Sequence, residues 1–265
     1  MLYFLGNFLW FRQHVRWRKI VKGMGLDMVA EERMIGRVPA LVWGEPSQSV
    51  YLAVHGKHGR KEEALGFAQL AHEQGFQTLS IDLPAHGARK NEPLACNARN
   101  GAADVRTAVN YALDHWENVG LYAVSLGAYF SLLSCADKNL KNCLLLSPVL
   151  DMERLIRNML IWSGFTEEPL RERGTVSTAL ETLEWEDYCY VKAHPAQSIS
   201  ASVSILMGAQ DELTSLETAE AFCKTHGANL TLLEGAKHYL NSERETEAVQ
   251  AWLRDRILCG KMLFM

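Results

Sequence analysis

The chain has 265 residues, 48% of them hydrophobic and 22% charged, with a formal net charge of −4. That length and apolar content support one sizeable core in a single globular domain. The mild acidity argues against nucleic acid as a primary partner, because phosphate binding needs clustered positive charge.

Six cysteines (Cys96, Cys135, Cys143, Cys189, Cys223 and Cys259) are scattered without any Cys-x-x-Cys pair. Zinc-ligand spacing is therefore absent. Several lie in apolar helix or strand patterns, where buried free thiols are common, so the expected location is a reducing cytoplasm.

Met1 to Phe11 is strongly apolar, and Arg12, Arg16, Arg18 and Lys19 follow it. A signal peptide would carry its charge before the apolar run and a small-residue cleavage site after it, and both are missing. The run is too short to span a bilayer. Residues 1–36 thus read as an apolar and basic N-terminal segment, expected to be helical. It would dock on the domain or lie on a membrane surface as a peripheral contact, with its basic residues at the headgroups. A start at Met24 or Met28 is a third arrangement.

Val38 to Trp43 reads as a strand closed by the turn cluster Gly44-Glu45-Pro46-Ser47. Ser49 to His55 is a second, nearly continuous apolar strand, ending in the loop His55-Gly56-Lys57-His58-Gly59. Glu62 to Gln74 places Leu65, Phe67, Ala68, Leu70 and Ala71 at helical spacing, and Gly75 stops it. Gln77 to Asp82 is a third strand, followed by a loop from Leu83 to Lys90. Asn100 is expected to cap a helix whose core face is Val105, Ala108, Val109, Ala112 and Trp116.

Leu121 to Val124 is a short buried strand that stops at Ser125. From Leu126 the pattern becomes helical, with Tyr129, Phe130 and Leu133 on one face. Ala123 and Gly127 each stand two positions from Ser125. A strand-to-helix turn that tight admits only small side chains there and leaves the serine pointing out of the bend, the nucleophile-elbow pattern. A serine capping a helix start would give a similar local sequence.

Cys143 to Leu146, Val203 to Gly208 and Leu230 to Leu233 complete the strands, and Ser215 to Thr225 and Glu245 to Leu258 read as helices. Strands alternating with helices imply parallel crossovers, with helices on both faces of one mostly parallel sheet spanning residues 37–258. Between about 150 and 201 the alternation breaks, and Met152 to Trp162 and Val176 to Tyr190 both look helical with no strand between. Such an insertion would roof the crevice at the C-terminal edge of the sheet as a small helical cap; the alternative is a pair of helices that only pack.

An exposed serine needs a base to take its proton and a carboxylate to orient that base. Asp211 follows the strand ending at Gly208, and His238 follows the strand ending at Leu233. Both would sit on the same edge of the sheet as Ser125. Glu212, next in sequence, is an alternative acid.

These pieces together resemble the α/β-hydrolase family, in its lipase, esterase and serine-aminopeptidase-like branch. The likeness rests on His55-Gly56, on Asp82-Leu83-Pro84-Ala85-His86-Gly87, on the Ser125 elbow, on Gly208-Ala209-Gln210-Asp211 and on Gly235-Ala236-Lys237-His238. It covers roughly Val38 to Leu258, and the order Ser, Asp, His agrees with the family. The resemblance implies Ser125 as nucleophile, His238 as general base and acid, and Asp211 as orienting carboxylate. It also implies an oxyanion hole made by the backbone N–H groups of Leu126 and Lys57. Ala123 stands where the family usually has glycine.

His55, His58 and His86 precede the serine and read as loop architecture, with His55, Trp162 and Trp185 as candidate pocket residues. The implied activity is hydrolysis of a small-molecule carboxylic ester through an acyl-enzyme, without metal or organic cofactor. Amide, peptide or thioester hydrolysis and a non-catalytic ligand-binding role are the alternatives.

Overall fold

The computed structural model describes residues 28–261 and, as backbone, residues 18–21. The helix expected over residues 1–36 therefore lies partly outside the described residues. Where that segment is described it is β-structure: β1 (Arg18–Val21) pairs antiparallel with β2 (Met28–Ile35). β2 pairs in turn with β3 (Val38–Trp43) across a two-residue turn in which Gly36 has φ 59°. A glycine at the first central position of a two-residue loop is a hairpin signal. Met28 and Ala30 bury one face of β2 against Leu41, Trp43 and Ala68. That packing outweighs the helical propensity of the Glu-Glu-Arg-Met run.

β4 (Ser49–Val54), β5 (Gln77–Ile81), β6 (Asn118–Val124), β7 (Asn142–Leu146), β10 (Ser202–Gly208) and β11 (Asn229–Leu233) form the rest of the main sheet. The order is β1-β2-β3-β5-β4-β6-β7-β10-β11. From β5 onward every pairing is parallel, and the N-terminal edge is antiparallel, so the sheet is mixed but mostly parallel. The chain leaves β4 in one direction to form β5 and returns on the other side of β4 as β6. This reversal opens a crevice at the carboxyl ends of β4 and β6, the place where open α/β sheets bind ligands.

The period-two alternation of the strands divides the core. Val50, Leu52 and Val54, with Val119, Leu121 and Ala123, face α2 (Ala98–His115) and α3 (Leu126–Ser134). Tyr51, Leu144 and Leu206 face α1 (Leu65–Glu73) and α8 (Glu243–Lys261). On that second face the Phe67 ring stacks on Tyr122 at 4.1 Å between centroids and meets Tyr51 edge-on at 5.3 Å. Asn97, not Asn100, caps α2: its side chain accepts the N–H of Asn100, and the Asn100 amide turns back to the Ala95 carbonyl. The pattern of apolar residues begins late in this helix, which hides its true start.

The insertion contains α4 (Met152–Trp162), α5 (Glu167–Arg173) and α6 (Trp185–Ala193). The single helix expected from Val176 to Tyr190 is instead the hairpin β8 (Thr175–Ser177) and β9 (Thr182–Glu184) followed by α6. Val176 and Leu183 are buried while their neighbours are exposed, a two-residue period that a helical reading cannot accommodate. α7 (Leu216–His226) is capped by Ser215 and joins β10 to β11.

Phe67 fills the space between two tyrosines, so Phe67→Ala should leave a cavity. The expected loss is about 3–5 kcal/mol of unfolding free energy, read as a lowered urea midpoint at unchanged slope.

Candidate active site

Ser125 sits at the crossing of β6 and α3 with φ 48° and ψ −114°, a conformation that L-residues avoid. The end of β7, the loop after it and the first turn of α3 hold it there. The Ser125 N–H donates to the Leu146 carbonyl at 3.0 Å, and the Ser125 carbonyl accepts from Val149 N–H at 3.2 Å and Ala128 N–H at 3.1 Å. The steric reason for Gly127 is the end of β4, since a Cβ there would stand 2.3 Å from the His55 carbonyl oxygen. The clash that forbids a side chain is thus with the adjacent strand, a contact invisible in the local sequence.

The Ser125 hydroxyl meets His238 Nε2 at 2.9 Å, and His238 Nδ1–H meets Asp211 Oδ2 at 2.8 Å. Asp211 Oδ1 accepts the N–H groups of Leu213 and Thr214 at 2.8 and 2.9 Å. Both carboxylate oxygens are thereby used, which fixes the carboxylate plane and gives His238 an acceptor for Nδ1–H. His238 Nε2 is left as the acceptor facing serine. Asp211 and His238 are buried, whereas Glu212 is exposed and takes no part in this chain. The loops carrying acid and base are tied to each other: Ala209 N–H donates to Leu233 O and Gln210 N–H to Ala236 O. Gly208 permits this, because a Cβ on it would lie 2.3 Å from the Ala236 carbonyl oxygen.

Beside the serine, Gly56 to Gly59 forms a β-turn closed by Gly59 N–H to Gly56 O at 3.1 Å. His58 holds φ 66° at its third position, the type II form. Lys57 and Leu126 both line the cavity in front of Ser125. Leu126 opens α3, so its N–H has no partner within the helix. The N–H of His58 is already committed to His86 Nε2 at 2.9 Å.

That cavity has a volume of about 630 Å³. Phe130, Val149, Met152, Leu155, Ile156 and Met159 form an apolar wall, and Trp162, Leu180 and Tyr239 stand exposed on its rim. Of the three expected pocket residues only Trp162 lines the cavity, at its rim. His55 is buried behind the loop, where its Nδ1–H donates to Gly56 O and its Nε2 accepts from Leu83 N–H. Trp185 is not among the residues lining the cavity and packs near Tyr188, ring centroids 5.6 Å apart; it opens α6, directly after the hairpin that replaces the expected helix.

Several cavity residues carried no sequence signal. The hairpin contributes Ala179 to Glu184, and Lys57 Nζ pairs with Glu181 across the mouth. Asp187 on α6 accepts the N–H of Ala98 at 3.1 Å, and burial pushes its carboxyl up to about 6. Burial likewise pushes the Cys96 thiol up to about 12, so this cysteine stays protonated at neutral pH. Among the described residues no cluster of His, Cys, Asp and Glu is arranged to hold a metal.

No protein-family model and no curated protein sequence matches the chain. Solved structures do. A protein from Agrobacterium vitis S4 superposes with a TM-score of 0.70 at 16% identity, over 91% of this chain and 98% of that one. Est1E from Butyrivibrio proteoclasticus gives 0.67 at 18% identity, over 92% and 98%. Mouse alpha/beta hydrolase domain-containing protein 10 gives 0.67 at 10% identity, over 91% and 98%. A further structure of Est1E holds ferulic acid. The chain has the α/β-hydrolase fold. Among the described residues no helix is long and apolar enough to cross a membrane.

Burial lowers the pKa of His55 from the ordinary 6.5 to about 4. Between those values the unfolded chain binds more protons than the folded one, so stability rises with pH through this window and is lost as pH falls across it. The shift corresponds to on the order of 3 kcal/mol. In urea titrations from pH 7.5 to 4, His55→Gln, which keeps an acceptor for Leu83 N–H, should show a shallower loss than wild type. Parallel curves would show that His55 carries none of it.

Proposed function

We propose that the protein is a serine hydrolase that cleaves a carboxylic ester through an acyl-enzyme. The observation that carries this reading is the hydrogen-bonded chain Ser125–His238–Asp211, opening on a largely apolar cavity of about 630 Å³. Ser125 Oγ attacks the ester carbonyl as His238 Nε2 takes its proton, and Asp211 holds the imidazole in the required tautomer and stabilises the imidazolium. The N–H groups of Leu126 and Lys57 receive the developing oxyanion; one such donor contributes about 3 kcal/mol to barrier lowering. His238 then returns the proton to the leaving alcohol. Water, activated by the same imidazole, releases the acid. This chemistry needs no metal or organic cofactor.

The wall of Phe130, Val149, Met152, Leu155, Ile156 and Met159 suits an apolar acyl or aryl group. The names of the structural neighbours support the ester reading: an esterase from Pyrococcus furiosus shares the fold at TM-score 0.61, and Est1E has been solved with an aromatic acid bound.

The test is labelling with a fluorophosphonate probe together with hydrolysis of p-nitrophenyl esters of rising chain length. Wild-type protein should label at Ser125 and turn over esters. Ser125→Ala should not label, and Asp211→Asn should lower kcat by about 10⁴-fold, since the amide would favour the wrong imidazole tautomer. Equal labelling of Ser125→Ala, or no labelling of wild type, removes the reading.

A further inference from the structure

Two loops meet beside Ser125, and each is pinned to the other through an imidazole. The Leu83 N–H of the second loop donates to His55 Nε2 of the first at 3.1 Å. The His58 N–H of the first donates to His86 Nε2 of the second at 2.9 Å. The remaining nitrogen of each ring is satisfied within its own loop. His55 Nδ1–H donates to Gly56 O at 2.7 Å, and His86 Nδ1–H to Pro84 O at 2.8 Å. Each ring is therefore fixed as the Nδ1–H tautomer, with Nε2 free to accept.

The His86 bond falls on a special peptide. In the turn from Gly56 to Gly59 the central peptide joins Lys57 to His58, and His58 has φ 66°. Types I and II of such a turn differ by a flip of this one peptide, and type II prefers glycine where His58 stands. A residue with a Cβ favours type I on its own account. What opposes that preference is the acceptor at His86 Nε2, which meets the His58 N–H only in the observed orientation. The same peptide borders the cavity, because Lys57 and His58 both line it. The turn also carries the Lys57 N–H, the donor that the hydrolase reading places in the oxyanion hole, so the form of the turn sets where that donor stands.

We infer that His86 is a positioning residue: by accepting the His58 N–H it holds the Gly56–Gly59 turn in its type II form and so fixes the position of the Lys57 N–H beside Ser125. The inference rests on the hydrolase reading. It differs from a packing role for His86 in one respect, namely that the turn itself is what His86 controls. Glycine at position 58 should then make His86 dispensable.

The experiment compares wild type, His86→Leu, His86→Gln and the double variant His86→Leu/His58→Gly, using a p-nitrophenyl ester. His86→Leu should lower kcat by about 10- to 100-fold with KM little changed, the size expected for misplacing one element of a preorganised site. His86→Gln, whose amide oxygen can accept the same N–H, should restore part of the loss. The double variant should recover most of it, because glycine adopts the positive φ without an acceptor's help.

No loss in His86→Leu, or a loss that His58→Gly does not recover, overturns the inference. Amide hydrogen exchange at His58 gives a second readout that does not depend on turnover. Exchange should be slow in wild type and accelerated at this position in His86→Leu, with the melting temperature recorded alongside. Unchanged protection also overturns the inference. If wild type shows no ester turnover and no probe labelling, the hydrolase reading fails separately, and the exchange result alone decides whether His86 holds the turn.

Discussion

The backbone of Ser125 is the constraint on which the site depends. A non-glycine residue at φ 48° costs roughly 1–2 kcal/mol relative to ordinary backbone. Several bonds over-determine it: its N–H is held by the end of β7, and its carbonyl is shared between the start of α3 and Val149. Each contributes on the order of 1 kcal/mol, so together they offset the strain. What is gained is position. The hydroxyl projects from the sheet edge at the reversal between β4 and β6, while the helix behind it presents an unpaired N–H beside it.

Beneath the two pinned loops lies a set of buried charges. Asp82 Oδ2 meets Lys61 Nζ at 2.6 Å, and its two oxygens also accept the N–H groups of Lys61 and Ala88. Arg89, fully buried, bonds Asp104 at 2.5 Å and the Asp82 carbonyl at 3.2 Å. Such pairs contribute little net stability once desolvation is counted, but removing one partner strands the other at a cost of about 3–5 kcal/mol. They tie both ends of the segment from Asp82 to Arg89 to its surroundings, and His86 reaches the neighbouring turn from within that segment.

The cap is held differently. Its helices bury Met152, Leu155, Ile156 and Met159 in the main core, and its hairpin buries Val176 and Leu183 there and meets the loop beside Ser125 through the Lys57–Glu181 pair, both members of which are part-exposed. An ion pair of that kind is worth about 0–1 kcal/mol and weakens with salt.

Local pattern alone determined much of this protein. Apolar runs and helical spacing located the main-sheet strands from Val38 onward. The order Ser125, Asp211, His238, each just after a strand, placed three chemically complementary residues on one edge, because parallel strands all end on the same side. The sequence misled where short-range pattern is ambiguous. Val176 to Tyr190 contains enough apolar residues for either period, and only the packing of Val176 and Leu183 selects the hairpin. Met28 to Ile35 is a strand because β3 lies beside it. Which acid serves His238, why residue 127 must be glycine, and which residues wall the cavity are questions about atoms far apart in the chain. The separation is 113 residues for Ser125 and His238, and 124 for Lys57 and Glu181. Their geometry is set by strand order and loop contact, and only the tertiary structure decides those.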